Sequence, residues 1–268
     1  MDAQKILEQI SAPSTEHAPL PTVLIVVAHP DDEVIALGGR LPRFRNATFV
    51  HGTDGAPPDG RDAHHHGFAS LGEYRSARQQ ELYAAFQIAE IDHPRDHHLR
   101  IPDQYAAFHP DLLVSQLLVL LHGEQFQAVL THPYEGGHPD HDACAFAVHA
   151  AVSQIESRLR PVIIEAAFYH AGPAGIETGS FLPLPLSLSM IERRLSNAEQ
   201  QFKKKLLHCF RSQRETLQYF GTEIERYRIA PTYDFTQPPH SGRLFYEQFS
   251  LGITGKDFCK LVQNAPCR

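Results

Sequence analysis

The sequence is short of cysteine, basic charge and long apolar runs, and each shortage excludes something. Its four cysteines, Cys144, Cys209, Cys259 and Cys267, form no C-x-x-C pair. A cysteine-rich zinc finger is therefore ruled out, and the thiols read as reduced. The formal charge of −7 leaves no surplus of cations to neutralise phosphates, which argues against a dedicated nucleic-acid binder. The apolar run Val23 to Ala28 is far too short to span a membrane. The opening MDAQKILEQI lacks the basic head and apolar stretch of a signal peptide, so the expectation is a soluble cytoplasmic protein. Gly38-Gly39 lacks the three-glycine spacing of a dinucleotide site, and neither a G-x-S-x-G elbow nor a P-loop occurs. Dinucleotide-binding, serine-hydrolase and NTPase readings thus have no support.

What is present suits one sizeable core. The chain has 268 residues, 42% of them hydrophobic and 21% charged, which is long enough to fold without disulfide staples. Continuous apolar runs at Val23–Ala28, Thr48–His51, His97–Ile101, Ala128–Thr131 and Val162–Tyr169 read as buried strands. Between them, 33–44, 73–89, 110–122 and 139–158 read as helices, and Ile191 to Phe220 as a long charged helix. Gly, Pro and polar residues mark 53–72 and Gly172 to Pro185 as loops. This alternation predicts an α/β fold: a Rossmann-like, mostly parallel sheet flanked by helices. No linker divides the chain, so residues 1–268 read as one domain, with a core over about 22–170 and a C-terminal elaboration over 171–268.

Eighteen histidines are an unusual number and raise the prior for a metal site, but position decides which matter. The cluster His29-Pro30-Asp31-Asp32-Glu33 stands where the first strand ends, the place where open α/β sheets bind ligands. A histidine and three acids crowded there are costly unless a cation gathers them. The dipole of a helix N-terminus accounts for the acids but not for His29. A second cluster, Gly136-Gly137-His138-Pro139-Asp140-His141-Asp142, follows the strand Ala128–Thr131 and opens a helix. Its glycines would let backbone approach a ligand closely.

Counting donors gives His29, Asp32 and His141, two nitrogens and a carboxylate. That set suits a catalytic zinc with an open position, and iron(II) as well. Zinc there would acidify a water and polarise a carbonyl. Asp31, left beside the ligands, is assigned general base. A protonated His138, held by Asp140, would stabilise an oxyanion or assist the leaving amine. The chemistry is metal-assisted hydrolysis of an amide or ester.

AHPDDE after an apolar strand, with GHPDH about a hundred residues on, resembles the PIG-L/LmbE-type zinc-dependent deacetylase family over roughly Val23 to Val148. The resemblance implies removal of acetyl groups from N-acetylglucosamine-type sugars. It implies zinc on His29, Asp32 and His141, the base at Asp31 and the auxiliary histidine at His138. Two looser matches add substrate contacts: Arg78, in Arg78-Gln79-Gln80-Glu81-Leu82, and Asp103, in Leu99-Arg100-Ile101-Pro102-Asp103. An echo of the family's lysine-rich helix lies at Lys203 to Gln213. The implied partner is a small N-acylated amino sugar or conjugate. The alternative is a metal amidase acting on a non-sugar acylated amine, and a third reading is a non-enzymatic binder on a hydrolase scaffold. Asp96-His97-His98 is similar to the DHH signature of a phosphoesterase family but lacks its companion motifs. His64-His65-His66 reads as a solvated or lid segment, His240 as a loop histidine and His132 as a pocket neighbour.

Overall fold

The computed structural model describes residues 2–16, 19–183 and 189–265. Cys267 and Pro185 lie outside them. The strands β1 (Val23–Val27), β2 (Thr48–Thr53), β3 (Arg95–Ile101), β4 (Ala128–Thr131) and β5 (Val162–Ala166) run parallel. Two antiparallel strands, β9 (Ile224–Ile229) and β8 (Met190–Arg194), extend the sheet to seven in the order β3-β2-β1-β4-β5-β9-β8. The fold is α/β, as the alternation predicted.

Every residue of β1 is buried, because helices cover both faces of the sheet. Val23, Ile25 and Val27 pack on one side with α1 (Ala3–Ser11), α2 (Asp32–Leu37) and α4 (Leu71–Ile88). Leu24, Val26 and Ala28 pack on the other with α5 (Pro110–Gly123), α6 (Pro139–Gln154) and α9 (Gly255–Gln263). The period-2 alternation of a strand divides one apolar run between two cores. Among the described residues no helix is long and apolar enough to cross a membrane. Cys144, Cys209 and Cys259 are free thiols.

Several boundaries differ from the sequence reading. The helix expected over 33–44 stops at Leu37, where Gly38 and Gly39 pack against the Lys203 and Leu195 side chains, and a 3-10 turn follows at Leu41–Phe44. The loop expected over 53–72 contains a short helix, α3 (Arg61–His65). The strand expected over 162–169 ends at Ala166. Tyr169–Gly172 (β6) then pairs with Gly175–Thr178 (β7) as a separate ribbon, β7 lying inside the segment read as loop. The long helix expected over 191–220 is overturned: Met190–Arg194 is an edge strand, and α7 (Asn197–Leu207) starts only at the Ser196/Glu199 capping box. A 3-10 turn and α8 (Arg214–Leu217) complete the segment.

The strand order sets the position of the site. β1 lies between β2 and β4, so the direction of winding reverses there, at the strand ends where open α/β sheets bind ligands.

Candidate active site

Both histidine clusters meet at this end of the sheet, because β1 and β4 are neighbours. His29 and Asp32 follow β1; His138 caps α6 and His141 lies in its first turn. Asp32 Oδ2 is 3.4 Å from His29 Nδ1 and 3.5 Å from His141 Nε2. His29, Asp32 and His141 thus bring one ligand atom each within reach of a single ion. His141 Nε2 is buried without a hydrogen-bond partner, the condition a metal relieves. His29 also belongs to an overlapping group with Asp103, His138 and Asp140.

The electrostatics follow from burial and crowding. Burial alone would lower the His29 pKa, but Asp103, Asp140 and Asp32 overrule it and hold it well above its ordinary value. Burial would raise Asp32, but His141 and His132 pull it well below the usual carboxylate range. Asp31 is pushed up to about 7 by burial, against the pull of Arg78.

Asp31 sits at φ 133°, a strained conformation for a side chain with a Cβ. Its carbonyl caps α2 by accepting from Val34 and Ile35. Its carboxylate faces Arg78, which is buried and donates from both Nη atoms to Oδ2 at 3.3 Å. The structure therefore places Arg78, expected as a substrate contact, on Asp31. Glu81 accepts from Ser212.

Two further expectations change. Asp140 does not hold His138 through its carboxylate, which accepts from the Gln104 and Ala106 amides at 2.6 and 2.9 Å and ties the loop after β3 to α6. Its backbone N–H donates to His138 Nδ1 at 3.2 Å. That contact puts the His138 proton on Nε2. Burial, then the charge of His29, lowers the His138 pKa well below its ordinary value. Gly137, read as admitting a ligand, is needed for another reason: a Cβ there would stand 2.1 Å from the Tyr169 carbonyl oxygen.

Asp103 Oδ1 lies 3.0 Å from His29 Nε2 and 3.9 Å from His138 Nε2. His132 lines the floor: its Nε2 accepts from the Ala28 amide at 2.9 Å, and its ring stacks on His141 at 3.9 Å. Phe168 and Tyr169 pack edge-on against His141. The sequence reading gave these aromatics no role; their position at the end of an apolar strand beside β4 was the available signal. His240 lies in the C-terminal loop, where its Nδ1 accepts from Gly242.

Residues 24–152 match the family model described as PIG-L: GlcNAc-PI de-N-acetylase. A probable N-acetyl-alpha-D-glucosaminyl L-malate deacetylase 2 of Bacillus cereus is 31% identical over 147 residues, 53% of this chain and 65% of that protein. The match thus spans just under two thirds of the relative's length. Among solved structures, the zinc-inhibited form of teicoplanin deacetylase Orf2 aligns with TM-score 0.58 at 16% identity, over 80% of this chain and 100% of that one. N,N'-diacetylchitobiose deacetylase from Pyrococcus horikoshii aligns with TM-score 0.55 at 18% identity, over 85% and 91%. GalB, a 4-carboxy-2-hydroxymuconate hydratase from Pseudomonas putida, aligns with TM-score 0.54 at 15% identity, over 80% and 98%. The structures share the fold, which also carries a hydratase, so fold alone does not choose the reaction. The sequence match goes beyond fold: residues 24–152, just under half of the chain, match the PIG-L family model.

Proposed function

We propose that this chain is a metal-dependent hydrolase that removes an N-acetyl group from an amino sugar or sugar conjugate. The observation that carries the reading is the convergence of His29, Asp32 and His141 beside Asp31, with a buried His141 nitrogen that lacks a partner. Two imidazoles and a carboxylate suit zinc best, with iron(II) as the alternative. When bound there, the metal would supply a Lewis acid for the amide carbonyl and lower the pKa of water.

The rest of the chemistry falls to the protein. Arg78 engages Asp31 Oδ2, so Oδ1 is the atom assigned to take the proton from the attacking water. A carboxylate held near neutrality suits that task and its reversal, since the same proton can pass to the leaving amine. His138, neutral and carrying its proton on Nε2, would donate to the oxygen on which charge develops. Asp103, beside both histidines, would accept from a substrate hydroxyl. Water and amide are consumed, and acetate and a free amine result.

The test is acetate release from N-acetylglucosaminyl conjugates by protein reconstituted with zinc or iron(II). Asp31→Ala is expected to abolish turnover while metal content stays at the wild-type level. Undiminished turnover in that variant refutes the base assignment. Release from acylated non-sugar amines alone would favour the amidase reading.

A further inference from the structure

We propose that Glu33, His51 and Asp96 form a buried relay that fixes the strained Asp31 turn and thereby positions the general base. The proposal rests on the reading of Asp31 as that base. The Asp31 amide donates to Glu33 Oε2 at 3.2 Å. The same oxygen is 3.2 Å from His51 Nε2, and His51 Nδ1 is 2.9 Å from Asp96 Oδ1. Asp96 Oδ2 is 2.7 Å from His98 Nε2, which reaches toward the surface. The side chains of Glu33 and His51 are fully buried, and that of Asp96 nearly so.

The chain of contacts runs from the sheet edge to a single backbone N–H. Each nitrogen of His51 faces a carboxylate, so both carry protons and the ring bridges as an imidazolium. Asp31 has a positive φ that its own backbone disfavours, so something outside the turn must hold it. Glu33 is the only side chain recorded as accepting from the Asp31 amide among the described residues, and His51 is what orients Glu33. The relay contains none of the proposed metal ligands. His51, Asp96 and His98 are also close enough to share one cation, but an imidazole protonated on both nitrogens has no lone pair to offer. The geometry therefore favours a positioning role over a second metal site.

The experiment uses the zinc-loaded full chain and its His51→Gln and Asp96→Asn variants. Misplacing a reacting group by about 1 Å costs on the order of a hundredfold in rate. Each variant is therefore expected to lose roughly ten- to a hundredfold in kcat, with KM and zinc content unchanged and a wild-type circular dichroism spectrum. Hydrogen exchange at the Asp31 amide should accelerate by a similar factor. That readout does not depend on turnover, so it tests the relay even if the wild type hydrolyses no acetylated sugar and the functional reading fails. Wild-type kcat together with an unchanged Asp31 exchange rate overturns the proposal. So does an extra zinc per chain in the wild type that His51→Gln removes. Should His51→Gln fail to fold, the near-isosteric Asp96→Asn variant carries the same test.

Discussion

Arg78 clamps Asp31 to the loop after β2: both Nη atoms lie 3.3 Å from Asp31 Oδ2, while Nε donates to the Gly55 carbonyl at 3.1 Å. Both side chains are almost wholly buried. Removing one partner of such a pair leaves a charge in a poorly solvated place, at a cost of about 3–5 kcal/mol. Arg78→Met is expected to lose stability on that scale in urea unfolding. Arg78→Lys should recover only part, since an ammonium cannot reproduce the two-pronged contact. A loss below about 0.5 kcal/mol, the range of ordinary surface changes, would show that the pair contributes little.

Zinc addition should raise the melting temperature of the metal-free protein. Ligand at a hundred times its Kd stabilises the folded state by about 2.7 kcal/mol, which is several degrees for a chain of this size. Asp32→Asn and His141→Ala should abolish the shift, because each removes a member of the proposed set. Differential scanning calorimetry with and without zinc checks this. An equal shift in either variant places the ion elsewhere.

The His51 network sets a pH dependence. Burial alone would lower the His51 pKa, but Asp96 and Glu33 raise it from 6.5 to about 10. Glu33 faces it from α2, and Asp96 and His98 from β3. The folded pKa lies above the unfolded one, so the stabilisation is complete below pH 6.5. It fades as pH rises toward 10. His51→Gln should be less stable than wild type at pH 6, and the gap should narrow by pH 10. Urea midpoints at pH 6, 8 and 10 test this, and parallel curves would contradict it.

The first half of the site was legible because burial leaves a plain trace. β1 is covered on both faces, so its sequence is an unbroken apolar run, and polar groups directly after it stand out. The relay was not legible. It depends on the register that sets His51 opposite His98 and on Asp96 and His98 sharing a strand face, and neither is a local property of the chain. The same holds for Arg78, whose partner is 47 residues away. The helix misread over 191–220 has a related cause. β8 is an edge strand whose residues alternate between exposed and half-buried, and with Glu192, Arg193 and Arg194 in the run that alternation is hard to tell from a polar helix face.

Lys203 supports the site from beneath. Its Nζ donates to the Ile35 carbonyl at 2.7 Å, near the end of α2, and contacts Glu225 at 3.0 Å. The cation satisfies a helix-end carbonyl and complements the dipole. Lys203→Met should cost about 3 kcal/mol by stranding buried acceptors, whereas the exposed neighbour Lys204 should tolerate the same change within about 0.5 kcal/mol. Paired urea titrations distinguish them, and equal effects would mean that Lys203 contributes by position on α7 alone.

Gly55 and Gly60 separate a backbone cost from the cost of moving Arg78. They have nearly the same positive φ, 64° and 71°, so an alanine pays a similar strain of about 1 kcal/mol at either place. Their surroundings differ. A Cβ at Gly60 meets nothing within 4 Å, while one at Gly55 would stand 2.8 Å from Arg78 Nε and Nη2 and 3.0 Å from Pro30 Cδ. Pro30 is held in the turn between His29 and Asp32, so the guanidinium must yield and lose its hold on Asp31. Gly55→Ala should therefore lose more stability than Gly60→Ala. If Asp31 is the base, it should also lose turnover that Gly60→Ala retains. Matching losses in the two variants would show that Arg78 can shift without consequence, and the reading of Arg78 as a clamp on the Asp31 carboxylate would fall with it.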